Sequence, residues 1–293
     1  MVKKLKIILE MIKFEHTLFA LPFAYIGAIL GSVVEEGTFP TLSEWVWITL
    51  AMVGARNIAM SLNRVIDEKI DQKNPRTSMR AIPAKLISKT EVYIFIALSF
   101  ILLLVSCYML NWLCVQLLPI AALFLIIYSF TKRFTFLCHI VLGITDGIAP
   151  LGGWVGATGT LSWPAFILFI GVTFWIAGFD VIYATQDAEF DKKRGLYSIP
   201  SYFGIPRALM ISRCFHVITF IAYLSLGWIT PELGWIYFIG VIVSGGLMIY
   251  EHSIISPNNL SKVNVAFFNM NGILSVAMFI FSLGDLLLWK FSQ

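Results

Sequence analysis

A short stretch directly after a long apolar run carries oxygen-bearing side chains at regular intervals. In SLNRVIDEKID, residues 61–71, Asn63, Asp67 and Asp71 are spaced i, i+4 and i+8. These intervals place the three side chains on one face of a helix. Arg56 falls on the same stripe, two turns earlier. Aligned carboxylate and amide oxygens of this kind are suited to binding a divalent cation.

A second stretch repeats the pattern later in the chain. In FDVIYATQDAEFD, residues 179–191, Asp180, Tyr183, Asp187 and Asp191 fall at offsets 0, 3, 7 and 11, which again share one helical face. This stretch begins inside an apolar segment. A carboxylate as deep as Asp180 is costly in lipid and normally faces a cavity or a partner.

Two aligned sets of carboxylates on one side of a helix bundle favour a Mg²⁺ site, because Mg²⁺ prefers carboxylates together with the oxygens of a phosphate substrate. The bases that flank the clusters are suited to assist a diphosphate. They are Arg76, Arg80, Lys132, Arg133, Lys192 and Lys193. The same residues also fit a second interpretation, in which the acids are solvated helix ends and the bases set membrane topology. Arg76 and Arg80 are the better ligand candidates because they follow the first cluster directly.

Composition indicates what must position these residues. The chain of 293 residues is 58% hydrophobic and 13% charged, with a mean hydropathy of +0.83, whereas soluble domains are about one-quarter charged. This predicts a polytopic membrane protein. No cleavage site follows the basic start, so we expect no cleaved signal peptide. The four cysteines lie in or beside apolar runs and have no CxxC spacing. We therefore expect neither disulfide bonds nor a zinc site.

Membrane-length apolar runs predict an all-α bundle of about nine transmembrane helices in a single domain, residues 1–293. The predicted segments are 17–35, 43–63, 91–110, 112–131, 136–157, 163–184, 208–229, 233–250 and 265–288.

Lysine and arginine occur in every second loop between these segments, as expected when those loops face the cytoplasm. This alternation predicts a cytoplasmic N-terminus and a multi-pass protein of the cell membrane. The two longest charged loops, after the second and sixth segments, begin with the acidic clusters, so both clusters are predicted to face the cytoplasm. Because the bases lie in these membrane-side loops, nucleic acid is not an expected partner.

The motifs resemble those of the UbiA superfamily of intramembrane prenyltransferases. The first signature of that family runs Asn-Asp-x-x-Asp-x-x-x-Asp and reads NRVIDEKID here, and the second reads DVIYATQDAEFD. RTSMRAIPAK and YSFTKRFT also look like loops of the family. The similarity spans essentially the whole chain. KFEHTLFALPFAYIGA and the Asn-Arg start of the first motif look closest to 4-hydroxybenzoate polyprenyltransferases and to the related enzymes that prenylate a dihydroxynaphthoate.

The resemblance implies transfer of a polyprenyl group to an aromatic acid in ubiquinone or menaquinone biosynthesis. Asn63, Asp67, Asp71, Asp187 and Asp191 would hold Mg²⁺ that bridges a polyprenyl diphosphate. Metal and bases would neutralise the leaving diphosphate, so that the allylic C–O bond ionises. An electron-rich phenolic ring would attack the carbocation, and proton loss would restore aromaticity.

The resemblance also assigns roles around the aromatic acceptor. Arg56 matches a family arginine thought to bind the carboxylate of the acceptor, and its alternative role is to pair with a motif acid. Tyr183 and Asp180 would position or deprotonate the phenol. Arg64 stands where the family motif has an acid and cannot bind Mg²⁺, so its role is left open.

Two further polar residues have open interpretations. Asp146, within LGITDGIAPLGGW, either lines the cavity or pairs with a helix neighbour. His139 is expected to be a satisfied interior residue and not a ligand.

Two alternatives to the leading hypothesis stay open. An ion transporter also places acids within the membrane, but here the acids gather on one side of the bilayer. Other branches of the family, acting on haem, on tocopherol precursors or in the classical menaquinone route, share the same motifs. The acceptor, the prenyl length, the number of metal ions and the oligomeric state are not encoded in these patterns.

Overall fold

The chain folds into a bundle of long helices joined by short loops and short helices. The computed structural model of the protein describes residues 2–12 and 17–292, so residues 13–16, which begin the stretch KFEHTLFALPFAYIGA, lie outside it. The elements are α1 (Val2–Met11), α2 (Thr17–Glu36), α3 (Leu42–Ile66), α4 (Glu68–Asp71), α5 (Lys89–Leu110), α6 (Trp112–Thr131), α7 (Cys138–Thr158), α8 (Trp163–Ala184), a 3₁₀ turn (Thr185–Asp187), α9 (Ala188–Arg194), α10 (Ile199–Phe203), α11 (Ile205–Ile229), α12 (Trp235–Ser253), a π-helical turn (Val265–Met270) and α13 (Asn271–Ser292).

The predicted all-α membrane fold is confirmed. Each of the nine predicted segments coincides with a long helix, the last of them being the π-helical turn continued by α13. Within the described ranges, eight helices are long and apolar enough to cross a membrane. The ninth, α2, has 20 residues and matches the first predicted segment. The cytoplasmic N-terminus stays a prediction.

Capping boxes fix where two of the site-bearing helices begin. Before α3, the Thr41 hydroxyl accepts the Glu44 amide hydrogen while the Glu44 carboxylate accepts the Thr41 amide hydrogen. Ser88 and Glu91 form the same pair before α5. Such a cap satisfies backbone N–H groups that lack a partner within the helix.

Helix α7 is wedged between α2 and α8 by small residues. A Cβ atom added to Gly143 would lie 2.2 Å from the carbonyl oxygen of Thr173 on α8, and one added to Gly153 would lie 2.0 Å from that of Ala24 on α2. Only glycine, which has no Cβ atom, allows two helices to pack this closely. These contacts fix the rotation of α7 about its axis and therefore the direction in which its one carboxylate, that of Asp146, points.

The core and the outer surface are both apolar, as a lipid environment requires. The largest fully buried side chains include Trp154, Trp175, Tyr223 and Phe23. On the outer face of α5, large aliphatic side chains such as Leu98 are exposed.

Helix α1 was not expected from the sequence. Its end packs Met11 and the following Ile12 against Ile82, Ile87 and Val92, which belong to the loop after α4 and to the start of α5. The N-terminal segment thereby closes over the loop that follows the first acidic cluster.

Candidate active site

A cavity of about 570 Å³ opens where α3, α6 and α8 end and α7 begins. Ten of the predicted site residues lie on its wall. They are Arg56, Asn63, Asp67, Asp71, Arg76, Arg80, Lys132, Asp180, Tyr183 and Asp187. The structure thus brings the two acidic clusters, four long helices apart in sequence, to one cavity. Asp191 and Arg133 do not line the wall themselves.

The first cluster keeps its helical spacing although α3 ends at Ile66. Asp67 caps the helix with φ −89° and ψ 3°, yet its N–H donates to the Asn63 carbonyl at 2.9 Å and the Asp71 N–H donates to the Asp67 carbonyl at 2.8 Å. These i to i−4 hydrogen bonds carry the turn across the break. All three side chains therefore face the cavity, as their spacing predicts.

Each carboxylate of the first cluster has its own base. Arg133 Nη2 lies 2.9 Å from Asp67 Oδ1, and Arg80 Nη1 lies 2.8 and 2.9 Å from the two Asp71 oxygens. The Asn63 amide donates to Asp67 Oδ2 at 3.1 Å. Burial raises the pKa of Asp67 above its usual value, and the charge of Arg133 offsets this only in part.

The second cluster is bound to the loop that follows the first. Arg76 donates to both oxygens of Asp187, with Nε at 3.0 Å from Oδ1, and its Nη1 donates to the Tyr183 hydroxyl at 2.9 Å. The Asn74 amide donates to Asp187 Oδ1 at 2.9 Å. A bidentate arginine fixes both position and orientation. Arg76 therefore joins the two halves of the site.

Asp191 lies behind the cavity wall, fully buried, and forms an ion pair with Lys132 at 2.8 Å. The physical reason is local, since the 3₁₀ turn at Thr185–Asp187 shifts the helical register between Asp187 and Asp191. Burial works to lower the pKa of Lys132, but the charge and hydrogen bond of Asp191 outweigh it, so the pKa of Lys132 is raised.

Four acids and four bases are thus paired one to one, and we call them the outer cluster. Its pairs are Asp67–Arg133, Asp71–Arg80, Asp187–Arg76 and Asp191–Lys132.

Asn74 is a site residue that the sequence reasoning missed. It is buried, lines the cavity and contacts Asp187. It also lies 11 positions after Asn63, and the same interval separates Asp180 from Asp191 in the second cluster. This continuation of the stripe was the signal that could have found it.

His139 is satisfied on both ring nitrogens. Its Nε2 accepts the Ile199 N–H at 3.2 Å, so Nδ1 carries the proton and donates to Asp180 Oδ2 at 2.6 Å. The predicted interior role is confirmed. In addition, His139 holds the Asp180 carboxylate in place on the cavity wall.

Arg64 reaches away from the motif acids. Its Nε donates to the Met11 carbonyl at the end of α1 at 3.3 Å, and its Nη1 donates to Asn63 Oδ1 at 3.2 Å. It is buried and lines the cavity. The residue that departs from the motif thus connects the N-terminal helix to Asn63.

The inner part of the cavity continues into a second, apolar cavity of about 390 Å³ between α3, α5, α6 and α7. Arg56, Asp146, Ala59 and Thr145 line both cavities, so they mark the junction. We call Arg56 and Asp146 the inner pair. Asp146 therefore lines the cavity, which was one of its two open interpretations.

The donor chemistry of the outer cluster fits Mg²⁺. In the described part of the chain, no three acidic, histidine or cysteine side chains converge on one point. Mg²⁺ does not need such a cage, because it keeps several waters and binds through one or two carboxylates plus substrate phosphates. Asp67, Asp71 and Asp187 supply carboxylates on opposite walls with space between them.

Comparison with known proteins points to one family. The family model of the UbiA prenyltransferase family matches residues 21–280. A 4-hydroxybenzoate octaprenyltransferase from Shewanella woodyi is 26% identical over 268 residues, which cover 92% of this chain and 93% of that protein.

Solved structures share the fold. A UbiA homologue from Aeropyrum pernix K1, in its apo form, superposes with a TM-score of 0.78 at 29% identity, covering 94% of this chain and 98% of that one. A UbiA homologue from Archaeoglobus fulgidus bound to GPP and Mg²⁺ gives a TM-score of 0.73 at 20% identity, covering 96% and 99%.

Proposed function

The chain belongs to the UbiA prenyltransferase family, and we propose that it transfers a polyprenyl group from a polyprenyl diphosphate to a hydroxylated aromatic acid, with Mg²⁺, in quinone biosynthesis. One observation carries the proposal: two acidic clusters meet across one cavity, and an apolar cavity continues from it. The similarity to 4-hydroxybenzoate octaprenyltransferases supports the acceptor class.

The outer cluster binds the diphosphate in this proposal. Mg²⁺, when bound, supplies positive charge that stabilises the leaving diphosphate. Asn63, Asp67, Asp71 and Asp187 hold it, and Asp191, which lies behind the wall, acts through Lys132.

Four bases of the outer cluster take part in ionisation. Arg76, Arg80 and Lys132 lie on the cavity wall, and Arg133 lies just behind it against Asp67. As the allylic C–O bond breaks, negative charge builds on the diphosphate, and positioned guanidinium and ammonium groups stabilise it.

The apolar cavity holds the prenyl chain. Its wall is built almost entirely from aliphatic side chains of α3, α5, α6 and α7, which bury the chain away from water. In this proposal the first isoprene unit lies at the junction with the polar cavity, beside the inner pair.

The acceptor binds between the diphosphate and the inner pair. The Arg56 guanidinium binds its carboxylate. Tyr183 accepts a hydrogen bond from Arg76, so its own hydroxyl hydrogen is free to donate into the cavity and to position the phenol oxygen. Asp180 is held by His139 and accepts the proton that the phenol releases.

The loops around the outer cluster carry most of the basic residues, which supports a cytoplasmic site in a cell membrane. Labelling of Glu189→Cys, an exposed position on α9, with a membrane-impermeant reagent from each side of sealed vesicles tests this orientation. Labelling from the cytoplasmic side is the expected result.

The function is tested with membranes that contain the protein. Given a polyprenyl diphosphate and an aromatic hydroxy acid, they are expected to form the prenylated acid only when Mg²⁺ is present. Asp67→Ala and Asp187→Ala are each expected to lower the rate by roughly 10²- to 10³-fold. Glu189→Ala, at an exposed position beside Asp187, serves as the control. If both cavity variants form product at the wild-type rate, the proposal is wrong.

A further inference from the structure

The inner pair differs from every other charged group on the cavity wall. Arg56 Nε is buried without a hydrogen-bond partner. Asp146 makes no hydrogen bond and no ion pair with any other described residue, although its charge interacts with those of Arg56 and Asp180. Two opposite charges thus line one junction without closing on each other.

Such an arrangement is costly within a membrane protein. An unpaired arginine and an unpaired carboxylate both lose hydration without gaining a partner. The close packing of α7 against α2 and α8 keeps Asp146 where it is, because glycines at 143 and 153 leave the helix no room to rotate. Charges held apart in this way are arranged for a ligand that enters between them.

The chemistry of that ligand follows from the two groups. A guanidinium offers donors and takes an anion, whereas a carboxylate offers only acceptors and takes a hydrogen-bond donor. The ligand must therefore carry an anionic group and, separately, a hydroxyl group. Asp180 presents a second carboxylate on the neighbouring helix α8, and its charge interacts with that of Asp146. Two acceptor groups therefore stand beside one guanidinium.

We propose that Asp146 is a specificity-determining residue of the acceptor site, and that its carboxylate accepts a hydrogen bond from a second hydroxyl group of a dihydroxylated aromatic acid. This inference rests on the function proposed above. Arg56 binds the carboxylate of the acceptor, Asp180 takes the first hydroxyl, and Asp146 takes the second. An acid with one hydroxyl leaves the half-buried Asp146 carboxylate without a donor, which weakens the binding of that acid.

The test compares acceptors that differ by one hydroxyl group. Purified protein receives a polyprenyl diphosphate, Mg²⁺ and either a monohydroxylated or a dihydroxylated benzoate, and then the corresponding pair of naphthoates. In whichever ring system the wild type uses, kcat/KM for the dihydroxylated acid is expected to be roughly ten- to a hundredfold higher.

Asp146→Leu removes the acceptor group and keeps the same branched heavy-atom skeleton. This variant is expected to bring the ratio of the two kcat/KM values close to one, through loss of the dihydroxylated acid, and to leave the KM for the diphosphate unchanged. Its Tm is expected to equal or exceed that of the wild type, because an unpaired, half-buried carboxylate has been removed.

A matched control is Asp285→Asn, on α13. Asp285 is buried outside both cavities, and its carboxylate accepts the Gly234 N–H, which an asparagine oxygen also accepts. The control is expected to keep the wild-type ratio.

Two outcomes overturn the inference. One is an acceptor ratio that Asp146→Leu leaves unchanged. The other is a lowered Tm with equal losses for both acceptors, which would make Asp146 a structural partner of Arg56. A wild-type protein that prenylates none of the four acids would instead contradict the proposed function itself, so the two failures are distinguishable.

Discussion

In the outer cluster each acidic side chain lies against a base of its own, whereas the inner pair, a few turns deeper, has opposite charges that do not meet. The ion pair of Asp71 and Arg80 at 2.8 Å is typical of the outer cluster. Arg56 Nε, buried without a partner, is typical of the inner pair. The difference indicates two kinds of binding. Under the proposed function, the outer cluster exchanges partners to bind its ligand, whereas the inner pair is already free to bind one.

The largest effect is expected from substitution of Arg76, the residue of the outer cluster that contacts both Asp187 and Tyr183. Arg76→Leu is expected to lower kcat/KM for the diphosphate by roughly 10²- to 10³-fold, because it removes charge stabilisation and frees Asp187. Arg76→Lys is expected to recover only part of the rate, since an ammonium lacks the planar fork. Arg194→Leu, an exposed base on α9, is the control. Equal rates for Arg76→Leu and the control would remove Arg76 from the mechanism.

The next largest effect is expected at Arg56, and it distinguishes the role of the inner pair from that of the outer cluster. Arg56→Ala is expected to raise the KM for the aromatic acid by roughly ten- to a hundredfold, because a charged hydrogen bond to the carboxylate is lost. The KM for the diphosphate is expected to change little. Steady-state kinetics with each substrate varied in turn measures both values. Equal increases in the two KM values would contradict a role in acceptor binding.

A smaller effect on stability is expected behind the cavity wall. Asp191→Asn leaves the Lys132 ammonium without its counter-charge, and Lys132 keeps some exposure to solvent, with 31% of its side chain accessible. We expect the free energy of unfolding to fall by about 1–3 kcal/mol. Thermal unfolding in detergent measures the change, and Glu189→Gln, exposed on the same helix, is the control. A Tm equal to that of the control would show that the pair does not stabilise the fold.

The smallest effect concerns Arg64. Arg64→Met keeps an unbranched apolar stem but loses the hydrogen bonds to the Met11 carbonyl and to Asn63. A loss of about 1 kcal/mol is expected in the docking of α1, with a severalfold lower rate. Limited proteolysis at α1 is expected to speed up in the variant. Unchanged cleavage of α1 would mean that Arg64 does not hold it.

The sequence predicted the fold well because its main determinants are local. Apolar runs of membrane length and the alternation of basic loops require no knowledge of tertiary contacts. The same holds for the stripe of Asn63, Asp67 and Asp71, which depends on helical periodicity alone. The helices and the stripe reappear in the structure with small shifts at helix ends.

The remaining features depend on contacts between distant segments. No local pattern shows that Arg76 crosses to Asp187, 111 residues away. The 3₁₀ turn that moves Asp191 behind the wall is a change of register inside a helical pattern. The role of Arg64 could not be predicted because its partner, Met11, lies on a short helix that the apolar runs did not predict.

The one-to-one pairing in the outer cluster has a thermodynamic consequence. Under the proposed function, a diphosphate that draws Arg76 and Arg80 toward itself releases Asp187 and Asp71 from their counter-charges. Each ligand then uncovers the groups that the other needs, so we expect metal and diphosphate to bind with positive cooperativity, each with a lower affinity alone than in the presence of the other.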